Sequence, residues 1–454
     1  MDNLVAARAQ MAISLGFHMV FAALGIGLPL LMLISEGLWL RRKEQVYLDL
    51  AKKWAKATGL LFAIGAVSGT ALSFELGLLW PPFMKFAGPI IGPAFALEGY
   101  AFFIEAIFLG LYLYGWKRLS PRAHWLCGIP VAVSGMMSGV LVMSANSWMQ
   151  NPVGFQVENG MPINIDPLQA LFNPSWGILA VHLTLASYMA TAFMVAAVYA
   201  WGMLRGRRDR YHNAGLTIAL ILGTITAIAQ PISGDFAARL VAETQPTKLA
   251  AMESQFATER SAPLRIGGLP NVENRTVPFA IEIPGGLSLL ATHDFNAEIK
   301  GLEAFPREDW PDVALVHIAF QVMVGSGLLI LLICAIYWLL RWRKREAGKW
   351  LLRGLVLSGV LGVAATEAGW IVTEVGRQPY IIYNIMRTAD AVTPAPGIWV
   401  TFVSFVALYV LLAVTLIWLL LRLATGRPVD DADHEGEHAK TSRPDEEASG
   451  AASA

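Results

Sequence analysis

The feature that most constrains this chain is a series of long stretches with no Asp, Glu, Lys or Arg. They run from Ala9 to Ser35, Ala57 to Phe74, Ala123 to Val157, Pro167 to Leu204, Tyr211 to Gly234, Val313 to Leu340 and Ala391 to Leu421. About 20 apolar residues suffice for a helix to cross a bilayer. Two further runs, Phe86 to Trp116 and Gly354 to Thr373, reach that length only by holding Glu98 and Glu105 in the first and Glu367 in the second. The expected fold is therefore an all-α polytopic membrane protein with about nine transmembrane helices. Composition agrees, with 55% hydrophobic and 15% charged residues against about a quarter charged in soluble domains. The 34 basic and 34 acidic residues cancel, so lipid and not nucleic acid is the expected partner. Cys127 and Cys334 both lie in apolar runs, which argues against a disulfide framework or a cysteine metal site. The first run follows Asp2 and Arg8 without a basic leader and outlasts a signal peptide, so it reads as a retained helix.

Loop charges orient the spans. Basic clusters follow spans one (Arg41, Arg42, Lys43), three (Lys117, Arg118, Arg122), five (Arg205, Arg207, Arg208, Arg210) and seven (Arg341, Arg343, Lys344, Arg345). The alternate short loops hold only Lys85, Arg377 and Arg387. The positive-inside rule then puts the N-terminus outside and the C-terminus in the cytoplasm. The expected organisation is six spans over 1–234, an ordered outer loop over 235–312, three spans over 313–427 and a disordered acidic tail over 428–454. Within the loop, Lys248 to Glu253 reads as a helical turn and Phe279 to Leu290 as an apolar packing segment.

Charged groups cost about 2.5 to 3.5 kcal/mol or more at mid-membrane, so the few polar residues in the spans invite a functional question. His18 and His182 lie within apolar runs, and His317 sits just inside span seven. A neutral imidazole there is either a helix-to-helix hydrogen bond or a haem-iron ligand. Met323 is one of 16 methionines, and spacing alone does not single it out. Glu98 and Glu105 are seven apart, which stacks them on one helix face about 10 Å apart. Trp370 and Glu374 are four apart and run into Gly376-Arg377-Gln378-Pro379. With the orientation above, His18, His182, Met323, Glu374 and Arg377 fall in the outer half, and Glu105 lies deeper than Glu98.

These motifs together resemble subunit I of the cytochrome bd-type quinol oxidases. The match covers all but the tail and rests on Gly16-Phe17-His18, Leu97-Glu98-Gly99, Phe103-Ile104-Glu105, Asn146-Ser147-Trp148-Met149-Gln150-Asn151-Pro152, Val181-His182, Lys248-Leu249-Ala250-Ala251-Met252-Glu253 and Glu367-Ala368-Gly369-Trp370 with Glu374 to Pro379. The resemblance implies a quinol:O2 oxidoreductase of the bacterial inner membrane, with subunit II and a small single-span subunit as partners. It implies low-spin haem b on His182 and Met323, and two high-spin haems, b and d or b in place of d, on His18 and Glu374. Trp370 and Arg377 would lie beside them, Lys248 and Glu253 would bind quinol, and Glu98 and Glu105 would carry protons. Gln321 stands where the family leads one to expect arginine, and Tyr380 follows Gly-Arg-Gln-Pro in place of tryptophan. The outer loop is short, as in the branch often called cyanide-insensitive. A carboxylate-lined transporter and a membrane cytochrome b that only relays electrons are the rival classes.

Overall fold

A computed structural model describes residues 2–425; the tail expected to be disordered lies outside them. In chain order the elements are α1 (Asn3–Arg42), α2 (Gln45–Leu79), α3 (Pro81–Tyr114), α4 (Pro121–Gln150), the hairpin β1 (Gln156–Glu158) with β2 (Met161–Ile163), and α5 (Pro167–Leu171). Then come α6 (Trp176–Leu204), α7 (Arg210–Thr244), α8 (Pro246–Met252), β3 (Glu259–Arg260), β4 (Leu264–Ile266), β5 (Ile281–Ile283), α9 (Gly286–Thr292) and β6 (Glu298–Ile299). The chain continues with α10 (Val313–Trp342), α11 (Lys349–Val375), β7 (Tyr380–Ile382), β8 (Met386–Arg387), α12 (Thr388–Ala391) and α13 (Ile398–Thr425). Among the described residues nine helices are long and apolar enough to span, α1 to α4, α6, α7, α10, α11 and α13.

The helices overrun the charge-free stretches. Such a stretch marks only the depth that excludes charge, whereas the backbone stays helical until its last carbonyls find other partners. Thus α1 includes Arg8, α2 carries Glu75 close to its end, and α7 continues to Thr244, ten residues past Gly234. The segment between α7 and α10 is correspondingly shorter than the expected 235–312. Asp235 and Arg239 pair one turn apart at 2.5 Å on that final part of α7. Glu75 is fully buried and accepts hydrogen bonds from Gln10 (3.2 Å) and Ser14 (2.9 Å) of α1.

Lipid tails are as apolar as leucine, so spanning helices associate through close packing and interhelical hydrogen bonds. Gly27 of α1 is needed for this: a Cβ there would lie 2.3 Å from Thr191 Oγ1 of α6, and that hydroxyl bonds the Ala23 carbonyl at 3.0 Å. Side-chain caps start several helices, as Asp312 accepts from Leu315 N–H at 3.0 Å and Asp209 from His212 N–H at 2.8 Å.

Among the described residues the two-stranded sheets, β1 with β2, β3 with β6, β4 with β5 and β7 with β8, gather at one end of the bundle with α5, α8, α9 and α12. Contacts knit this loop end together: Tyr383 N–H donates to Met149 O, Thr393 N–H to Leu79 O and Gln245 Nε2 to Gln150 O. The basic clusters lie at the other end. Phe279 to Leu290 is not a uniform packing segment, since Phe279 and Ile281 are exposed and Leu287 carries the burial. All three residues of β5 are exposed although the strand pairs with β4, so the pairing does not bury this stretch.

Candidate functional site

His18 and His182 are held in the same way by different helix pairs. Ser68 of α2 sends its hydroxyl proton to the Ile64 carbonyl (2.9 Å) and the Gly65 carbonyl (3.2 Å). Its oxygen can then only accept from His18 Nδ1, which lies 2.9 Å away. Ser233 of α7 likewise donates to the Gln230 carbonyl (2.9 Å) and faces His182 Nδ1 at 2.9 Å. A ring that donates from Nδ1 keeps its lone pair on Nε2, the arrangement that orients metal-binding histidines. The next residue is glycine in both cases. A Cβ on Gly69 would lie 3.1 Å from His18 Cε1, and one on Gly234 would lie 3.5 Å from His182 Cε1. For His182, Gln230 Nε2 lies 3.2 Å from Nε2, so that amide must yield to anything bound there.

Met323 faces α11, where a Cβ on Gly369 would lie 2.9 Å from its sulfur. His182 on α6 and Met323 on α10 thus belong to helices that both pack against α7 and α11. The other candidate ligand of this region is spent. Both nitrogens of the fully buried His317 face carbonyls, Nδ1 toward Met252 (2.8 Å) and Nε2 toward Gly267 (3.0 Å).

Glu374 ends α11 and accepts from Asn146 Nδ2 of α4 (2.6 Å) and from Arg377 (2.5 Å). Arg377 is 2% exposed, yet its Nε and Nη1 have no acceptor among the described residues. Trp370 Nε1, Asn146 Oδ1 and Glu367 Oε1 are also buried without a partner there. Glu367 reaches toward α1, since a Cβ on Gly16 would lie 3.4 Å from its Oε2. These unmatched buried polar atoms, along and just after the last three turns of α11 and at the facing end of α4, fit the binding of a polar or charged group there. A haem suits them, because its iron would take an imidazole or carboxylate and its propionates would take guanidinium donors.

Glu98 and Glu105 of α3 both face α4, the first toward the Ser138 hydroxyl and the second toward Gly135, whose Cβ would lie 3.3 Å from both carboxyl oxygens. Seven residues beyond Glu105, Tyr112 donates to Glu36 Oε2, and His124 bridges Glu36 Oε1 (2.8 Å) and the Tyr112 carbonyl (2.8 Å). These three side chains are buried at the basic end of the bundle.

Lys248 and Glu253 do not face one partner. Lys248 is 4% exposed and donates from Nζ to Gln150 Oε1 at 2.6 Å. Burial first, and then the Arg377 charge, lower its pKa to about 7 against the pull of Glu374. Glu253 follows α8, and burial raises its pKa to about 8 despite Arg265 nearby. A cavity of about 250 Å³ opens beside α8, lined by Thr244, Thr247, Asp309, Arg377, Tyr380 and Tyr383 among others. Tyr380 donates to Asp309 at 3.0 Å.

Sequence reasoning missed Ser68, Ser233 and the Glu36 cluster, and it read Asn146 and Gln150 only as part of a motif, without a role for either. The available signal for the two serines was a Ser-Gly step inside a span, at Ser68-Gly69 and Ser233-Gly234, but the same step recurs at Ser134-Gly135, Ser138-Gly139, Ser326-Gly327 and Ser358-Gly359 and so does not single them out.

Comparison with known proteins gives a consistent result. A family model described as cytochrome bd terminal oxidase subunit I matches residues 6–428. A Bacillus subtilis (strain 168) protein, provisionally described as a cytochrome bd menaquinol oxidase subunit I, is 38% identical over 95% of this chain and 98% of its own. The cytochrome bd ubiquinol oxidase subunit 1 of the same organism is 32% identical over 96% of each chain. The bd oxidase structure from Geobacillus thermodenitrificans superposes with a TM-score of 0.89 at 37% identity, over 93% of this chain and 98% of that one.

Proposed function

The chain belongs to the cytochrome bd terminal oxidase subunit I family and is the catalytic subunit of a quinol:O2 oxidoreductase, and from that premise we propose a division of labour among its residues. The family implies haem. His182 and Met323 would hold a low-spin haem b, and His18 and Glu374 two high-spin haems, b with d or b alone. When bound, these groups carry electrons singly and give O2 an iron to bind. Ser68 and Ser233 fix which imidazole nitrogen is offered, and Arg377 offers its free donors to propionate charge.

Quinol would bind at the loop end, with its ring in the cleft beneath Tyr380 and Tyr383. The Lys248 ammonium would donate to a quinol oxygen, and the Glu253 carboxylate would take the proton released as each electron leaves. A base with a pKa of about 8 both takes and returns a proton near neutrality. Two quinols supply the four electrons and release four protons, while one O2 takes four protons to give two waters. The positive-inside rule puts the loop end outside a bacterial inner membrane and the basic end in the cytoplasm. Protons would enter by the Glu36, Tyr112 and His124 cluster and climb Glu105 and then Glu98. Release outside and uptake inside charge the membrane without a pump. Subunit II and a small single-span subunit would complete the complex.

The matched pair of His-Ser-Gly arrangements is the observation that carries this reading, because a relay with one haem has no use for the second. An absorption spectrum of the reduced complex, with and without carbon monoxide, tests it. A low-spin band indifferent to carbon monoxide beside a high-spin band that responds is expected. A spectrum with no responsive haem would overturn the assignment of His18 and Glu374.

A further inference from the structure

The segment between α7 and α10 could hang from its two ends, but α10 grips it along its first turns. His317 faces the Met252 carbonyl at the end of α8 and the Gly267 carbonyl just after β4. One turn deeper on the same face, Gln321 Oε1 accepts from Gly267 N–H at 3.0 Å, and its Nε2 donates to the Arg265 carbonyl at 2.9 Å. The amide of Gln321 therefore takes one N–H and serves one carbonyl of the strand, as a partner strand would. Gly267 and Gly268 have φ of 69° and 90°, a left-handed turn that glycine adopts without strain.

The grip reaches Glu253 from both sides. His317 holds the carbonyl of the residue before it. The Arg265 side chain donates to Gln255 Oε1 (2.7 Å) and to the Ser254 carbonyl (3.3 Å), immediately after it. Gln321 is only two residues from Met323, which raises the rival role of tuning a haem there. The geometry opposes it, because residues two apart on a helix point about 200° away from each other. Both ends of the Gln321 amide are spent on the loop, while Met323 faces Gly369 of α11.

We propose that His317 and Gln321 are positioning residues for quinol oxidation, a side-chain clasp on α10 that fixes the backbone on either side of Glu253. The clasp rests on the assignment of Glu253 to the quinol site. It also gives Gln321 a role that an arginine could not fill, since arginine has no acceptor for the Gly267 N–H.

The test uses the assembled oxidase with Gln321→Leu, His317→Gln as a milder variant, and Glu253→Gln. Three quantities are read: hydrogen exchange over residues 252–268, quinol KM and kcat, and the low-spin haem spectrum. Losing two hydrogen bonds should speed exchange about tenfold and raise quinol KM about three- to tenfold, with the spectrum and oxygen consumption from an artificial donor unchanged. His317→Gln, which keeps one donor, should shift the same readouts less. Unchanged exchange, or a shifted spectrum with unchanged KM, overturns the clasp. If Glu253→Gln leaves quinol oxidation intact, the assignment beneath it has failed. If that variant is impaired while Gln321→Leu behaves as wild type, the clasp alone has failed.

Discussion

Lys248 Nζ and Gln150 Oε1 meet at 2.6 Å where both side chains are buried, 4% and 3% exposed. Gln150 ends α4, and its carbonyl also accepts from Gln245 at 2.9 Å, so the lysine hangs from a fixed point. An acceptor of this kind contributes about 1.5 to 3 kcal/mol when the donor is charged. Gln150→Leu should therefore weaken quinol handling about tenfold or more in kcat/KM, with the artificial-donor rate retained. Equal loss with both donors would mean that Gln150 supports the bundle and not the lysine.

The pH profile of quinol oxidation should carry both groups. Glu253 accepts a proton only as carboxylate, a form that grows as pH rises through about 8. Lys248 donates only as ammonium, a form lost as pH rises through about 7. Their product peaks midway between about 7 and about 8, so kcat/KM should be a narrow bell centred near 7.5. Gln150→Glu sets a carboxylate on the ammonium and should raise the lysine pKa by about one unit, which moves the optimum upward by about half a unit. An unmoved optimum would separate Lys248 from the reaction.

The spans were legible because charge is excluded from lipid so strongly that its absence is visible in the sequence. Their ends were not, as Asp235 and Arg239 show, since a helix that has left the hydrocarbon tolerates charge without unwinding. Histidines and stacked glutamates stood out for their rarity in apolar runs. Ser68 and Ser233 did not, because a serine in a membrane helix ordinarily bonds a carbonyl of its own preceding turn. Both do so here, and only the facing ring makes the second lone pair matter. His317 was legible as a buried polar group but not as a clasp, because its acceptors are backbone carbonyls from distant parts of the chain.

Removing an orienting serine should loosen its histidine without deleting the ligand. Ser233→Ala should weaken haem retention at His182 about 10- to 100-fold, the usual effect of losing such a partner, and Ser68→Ala should do the same at His18. The readout is band intensity at each haem after dilution in detergent. Loss of the low-spin band in Ser68→Ala, with Ser233→Ala unaffected, would reverse the pairing of histidines with haems.

Gly369 offers a test of Met323 that leaves the sulfur in place. A Cβ there would lie 2.9 Å from Sδ, closer than real contacts permit, so Gly369→Ala should displace the thioether. A ligating methionine would then lengthen its bond or let go, and the low-spin spectrum should turn partly high spin, as Met323→Leu should do fully. Low-spin spectra unchanged in both variants would remove Met323 from the ligand set.

Proton supply can be blocked without touching a haem ligand. Glu105 is 7% exposed and faces Gly135 of α4, between Glu98 and the Glu36, Tyr112 and His124 cluster on the same line. A carboxyl can take a proton from one neighbour and pass it to the next, whereas an amide of the same shape cannot. Glu105→Gln should therefore slow oxygen reduction at least about tenfold while quinol still reduces the low-spin haem in a single turnover. Gly135→Val should act in the same direction by wedging the carboxyl aside with its methyl groups. Normal oxygen reduction with normal cytoplasmic alkalinisation in Glu105→Gln would move the proton path elsewhere, toward the partner subunit. If Gly135→Val alone were slow, packing between α3 and α4 would be at fault and not proton transfer.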